Sequence, residues 1–97
     1  MTALALPIAA DHPSFAGHFP SAPVLPGVVL LDEAIRAIEL ADGGEPRRWR
    51  VGSVKFLRPV GPGEPLALEQ ERLASGTIRF TILSSGQAVA TGALAPT

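Results

Sequence analysis

The stretch from Ala16 to Asp32 gathers the residues whose types and spacing could do chemistry. His18 carries an imidazole that titrates near neutral pH and can take a proton as a general base. Asp32 sets a carboxyl in an otherwise apolar run. Burying it as an anion is costly, so burial would keep it protonated, and a protonated carboxyl can act as a general acid. Gly27 lies between them, just after Pro26, where a helix is predicted to start. Unpaired backbone N–H groups and the positive end of the helix dipole attract developing negative charge there. Glycine has no Cβ, so a substrate oxygen can come close to its N–H. Each residue also has a plainer reading. A loop histidine is often structural or exposed, a helical aspartate often faces water, and Gly27 by itself marks only a helix start.

One reaction would use all three groups. Loss of water from a 3-hydroxyacyl thioester needs a base for the C2 proton and an acid for the departing hydroxide. It also needs a donor for the enolate-like thioester oxygen. His18, Asp32 and the Gly27 N–H supply one of each.

The elements that must hold these groups can be read from pattern. Thr2 to Ala10 reads as an edge or irregular strand, because Pro7 interrupts it. Asp11 to Pro26 is rich in Pro and Gly and contains both histidines, His12 and His18. Pro13, Pro20, Pro23 and Pro26 forbid a helix there and favour a fixed, extended loop. Gly27 to about Ala41 is the best helix candidate. Val28, Leu31, Ile35, Ile38 and Ala34 are expected on a common apolar side, and Leu30 and Ala37 widen it. Asp42-Gly43-Gly44 ends the helix. Strands are expected over Arg48–Leu57, Leu66–Leu73, Thr77–Leu83 and Ala88–Leu94, with turns at Arg58–Glu64, Ser75-Gly76 and Ser84–Gln87. A strand, a long loop, one helix and about four antiparallel strands describe an α+β fold with a single helix packed on a curved sheet.

Composition bounds the rest. The chain has 97 residues, 46% hydrophobic and 18% charged, which suits one globular domain over 1–97 with a modest core. A net charge of -1 argues against nucleic acid as a partner. The chain has no cysteine, which excludes disulfides, thiolate nucleophiles and cysteine-based zinc sites and fits a cytoplasmic location. No run approaches a membrane span, and the first residues lack the features of a signal peptide. Two histidines and scattered carboxylates give no metal-ligand pattern, and no cofactor is expected.

The run Gly17-His18-Phe19-Pro20, followed by Pro23-Val24-Leu25-Pro26-Gly27 and then Asp32, resembles the signature of 3-hydroxyacyl-acyl-carrier-protein dehydratases of the FabA/FabZ type. A second block, Val54-Lys55-Phe56-Leu57-Arg58-Pro59-Val60 with Pro62-Gly63-Glu64, is similar to that family's characteristic strand and turn. The resemblance runs from about Asp11 to Leu94. Among its members, the chain most resembles short, stand-alone ApeI-like versions that serve aryl polyene or related lipid synthesis.

This resemblance implies a hotdog fold, a long helix wrapped by an antiparallel sheet, in subunits that pair edge to edge. It implies a homodimer with shared active sites, or a higher oligomer built from it. His18 would be the base of one subunit and Asp32 the acid from the other. Gly27 would donate to the thioester carbonyl, and Phe19 and Val28 join it as candidate substrate contacts. The substrate would ride on acyl carrier protein or coenzyme A.

The chain departs from the pattern in places. The FabZ branch has Glu at the position of Asp32, whereas the FabA branch has Asp. Ser21 replaces a usual Gly, and Arg36 replaces a frequent Gln one turn after Asp32. A cation at that spacing would favour the ionised form of Asp32. The chain also lacks an N-terminal extension common in larger members, so a more open acyl tunnel is expected. Arg47, Arg48, Arg50, Lys55 and Arg58 form a basic cluster that reads either as a docking surface for an acidic carrier or as a solvated edge. Trp49 within it reads as packing or as an interface anchor. Two other functions remain open from sequence: a hotdog thioesterase, and a non-catalytic subunit that binds a carrier or pairs with an active homologue.

Overall fold

The computed structural model describes residues 2–6, 25–44 and 48–97. Its elements are β1 (Thr2–Ala5), α1 (Gly27–Ala41), β2 (Trp49–Val51), β3 (Lys55–Phe56), β4 (Leu66–Arg72), β5 (Ile78–Ser84) and β6 (Gln87–Pro96). The strands form one antiparallel sheet in the order β1-β4-β5-β6-β2, with β3 also on β6. The α+β reading holds, and the helix has the predicted bounds.

Alternation explains the sheet. In β5, Ile78, Phe80 and Ile82 are buried, while Arg79 is exposed. In β4, Leu66 and Leu68 face the core, while Glu71 faces water. The helix lays Leu30, Ala34 and Ile38 on this core, the i, i+4, i+8 row of one face. Ile38, Leu68, Ile78 and Leu94 are fully buried at the centre. Gly92 makes room there. A Cβ on it would meet the Phe80 ring at 2.7 Å, so glycine lets the ring lie across β6.

The expected helix face needs one correction. Val28 is 64% exposed rather than in the core, because the sheet of a single chain covers only the Leu30-Ala34-Ile38 side of the helix. Val28, Asp32, Arg36 and Leu40 instead form an exposed row one turn apart.

The expected strand at 48–57 is also broken into two. Val51 pairs with Leu94 and Lys55 with Thr91, so the strand takes one more residue than β6 over that span. Gly52 keeps the pairing by donating its N–H to the Ala93 carbonyl at 2.8 Å. A second irregularity lies between Ile82 and Leu83 on β5, opposite Val89 and Ala90, both buried.

Two side-chain links fasten the end of the helix. Trp49 Nε1 donates to Glu39 Oε2 at 3.1 Å, and Arg72 pairs with Asp42 at 3.0 Å. Trp49 is half-buried against the core, which identifies it as a packing residue within the chain. No helix among the described residues is long and apolar enough to cross a membrane.

Candidate active site at the start of the helix

The site is built from three local features: the first turn of α1, the β3 edge and the turn that follows β3. Pro26 is the N-cap. It offers no side-chain acceptor, and the first turn holds no acid. Its carbonyl accepts the Val29 N–H at 3.0 Å and the Leu30 N–H at 3.2 Å. The Gly27 and Val28 N–H groups find no acceptor among the described residues. The helix therefore opens with donors directed out of its own hydrogen-bond ladder, at the positive end of its dipole.

A cavity of about 480 Å³ lies against this turn. Gly27, Val28 and Leu30 of the helix line it, opposite Phe56, Leu57 and the 58–60 turn. The missing Cβ at Gly27 has a reason that the sequence reading did not supply. A Cβ there would stand 2.9 Å from two carbons of the Phe56 ring, so glycine lets the ring close on the helix start. Phe56 and Leu57 are about half exposed, as is Val51 further along the same edge.

Asp32 lies on the exposed helix row, beyond Val28. The burial expected of its carboxyl is not provided by the described residues. Arg36 is exposed on the same row, and among the described residues no ion pair joins it to Asp32. Arg36 instead lines a groove of about 400 Å³ with Leu4, Leu6 and Leu40. The structure brings Gly27 and Val28 to one cavity. His18, Phe19, His12, Ser21 and Arg47 lie outside the described residues.

The basic cluster is only partly as expected. Arg48, Arg50 and Lys55 are exposed, but Arg58 is half-buried and paired within the chain. It pairs with Glu64 at 2.9 Å and also donates to the Pro59 carbonyl. Glu64 accepts as well from the Gly61 N–H and from Ser84 Oγ–H. The Arg58 guanidinium, with those two donors behind it, pulls the Glu64 carboxyl down to about 2. Among the described residues no group of His, Asp and Glu is arranged to hold a metal ion.

Comparison with known proteins places the chain in a family. A family model described as ApeI dehydratase matches residues 1–93. The chain belongs to the ApeI-like dehydratase family. A 3-hydroxyacyl-[acyl-carrier-protein] dehydratase FabZ of Haemophilus ducreyi is 36% identical over 99 residues, covering 91% of this chain and 62% of its own length. The chain thus spans a little under two thirds of the curated relatives it matches.

Among solved structures, the dehydratase heterocomplex ApeI:P of Xenorhabdus doucetiae superposes with a TM-score of 0.68 at 26% identity, covering 96% of this chain and 83% of that one. A Thermus thermophilus thioesterase, solved with coenzyme A and Zn, superposes with a TM-score of 0.57 at 17% identity over 98% of this chain and 78% of its own. That likeness concerns the fold alone. The fold of this ApeI-like chain is the hotdog, with an antiparallel sheet against the one helix among the described residues. Sequence reasoning missed Phe56 as the neighbour of Gly27 and Glu64 as an anchor. The signal for both was present in the second motif block, which carried no role.

Proposed function

We propose that this ApeI-like chain dehydrates a 3-hydroxyacyl thioester, carried by acyl carrier protein, to the trans-2-enoyl thioester. The supporting observation is the cavity at Gly27: apolar walls meet backbone donors that no residue of the described chain uses. An acyl chain suits the walls, and a thioester oxygen suits the donors. His18 takes the C2 proton, electron density moves onto the thioester oxygen, and Gly27 N–H stabilises it. The C3–O bond then breaks, and Asp32 gives its proton to the departing hydroxide, which leaves as water. The thioester itself stays intact. Phe19 and Val28 flank the acyl group, and no cofactor enters.

The exposed position of Asp32 fits a site completed by a second subunit. The β2–β3 edge carries exposed Val51, Phe56 and Leu57, a surface suited to pairing with another chain. We assign residues 1–97 to one hotdog domain of a cytoplasmic homodimer, or of a higher oligomer built from it, that uses His18 of one subunit with Asp32 of the other.

Mass spectrometry of 3-hydroxyacyl groups of several lengths on acyl carrier protein tests the reaction. Loss of one water with wild type and none with His18→Ala supports it. Release of free acid and bare carrier would identify a thioesterase instead. A second reading has its own support: the Xenorhabdus doucetiae relative is a dehydratase heterocomplex. On that reading this chain pairs with an active homologue and needs no catalysis of its own. No reaction with any chain length, from a confirmed dimer, would favour it.

A further inference from the structure

The turn between β3 and β4 holds a charged cluster that the proposed chemistry does not use. Ser84 ends β5, a central strand, and its buried hydroxyl donates to Glu64 Oε1 at 2.9 Å. Arg58 donates to the same carboxylate at 2.9 Å, and the Gly61 N–H donates to its other oxygen. Glu64 therefore fixes both ends of the 58–61 turn to the sheet. Within that turn Val60 is buried, and its carbonyl accepts the N–H of Leu25, itself buried, at 2.8 Å. Leu25 is two residues before Gly27. A continuous chain of short bonds thus runs from the end of a central strand to the start of the helix.

We propose that Glu64 is a positioning residue: through Arg58, Gly61 and the Val60–Leu25 bond it sets where the Gly27 N–H points. This rests on Gly27 being the donor to the thioester oxygen. The physical need is clear. A preorganised donor works only if it does not have to move when charge develops, and Pro26 supplies no capping side chain to hold the turn. The carboxylate is ionised throughout the neutral range, so the clamp is permanently charged there.

The test compares wild type with Glu64→Gln and Ser84→Ala, by steady-state kinetics on 3-hydroxyacyl carrier and by amide hydrogen exchange. For Glu64→Gln, kcat per folded enzyme is expected to fall about tenfold with KM nearly unchanged. That is less than the ~10²–10³-fold loss for removing an oxyanion donor outright. The Leu25 amide should exchange at least about tenfold faster, because its acceptor is no longer held, while amides shared by β5 and β6 stay protected. Ser84→Ala should reproduce both changes more weakly.

An unchanged Leu25 amide overturns the proposal whatever the kinetics. So does a loosened Leu25 with unaltered kcat, or exchange that rises equally everywhere, which would make Glu64 merely structural. If wild type removes no water from any substrate, the dehydratase reading fails and the catalytic assignment of Glu64 falls with it. The exchange data would then still show separately whether the clamp holds the helix start.

Discussion

At the scale of single residues, the proposed reaction gives the proton transfers to His18 and Asp32 and the developing charge to Gly27. His18→Ala and Asp32→Asn should each lower kcat by about 10²–10⁴-fold, the usual worth of one general acid or base. Stopped assays on folded, dimeric protein check this. Asp32 faces water in its own chain, so Asp32→Asn should leave the melting temperature nearly unchanged.

Glu64 behaves differently. Its carboxyl is pulled down to about 2, from an ordinary 4.5, mainly by Arg58. A depressed folded-state value means stability that is fully present above about 4.5 and is lost as pH falls toward about 2. Glu64 contributes about 1–2 kcal/mol after discounting for the solvent that reaches the pair. Urea titrations from pH 6 down to the acid limit should show Glu64→Gln converging on wild type as acid removes the charge. A constant gap across that range would contradict the assignment.

At the scale of elements, the sheet rests on close fits. Gly92→Ala would drive a Cβ to 2.7 Å from the Phe80 ring, so it should cost about 1–3 kcal/mol by overpacking. A chemical melt of the variant measures that cost, and an unaltered midpoint would mean the ring has somewhere else to go.

Elements also show what the sequence could and could not reveal. The helix bounds were legible because Pro26-Gly27 and Asp42-Gly43-Gly44 are local signals. The alternation of Ile78, Phe80 and Ile82 was equally local. Which side of the helix would be covered was not legible. Val28 and Leu31 share a hydrophobic pattern, yet only the sheet's position decides that Val28 is left exposed. The break between β2 and β3 was hidden for the same reason, since it depends on register against β6. The site divides along the same line. Gly27 could be singled out from its place in the chain, but its contact with Phe56, like the clamp from Ser84 to Glu64, joins segments distant in sequence.

At the scale of the whole molecule, the described residues of one chain offer only part of what the proposed chemistry needs. They present donors and an apolar cavity, but leave Asp32 and the β2–β3 edge open to water. Phe56→Asp places a charge on that edge and should shift the protein from dimer to monomer in light scattering, with loss of activity. A dimer that persists unchanged would place the interface elsewhere.

The most direct measurement mixes two inactive proteins, His18→Ala and Asp32→Asn, lets their subunits exchange, and follows loss of water from a 3-hydroxyacyl carrier. A mixed dimer keeps one intact site, so random pairing should restore about a quarter of wild-type activity. If exchange is demonstrated and no activity returns, the two groups do not meet across the subunits and the shared-site account is wrong.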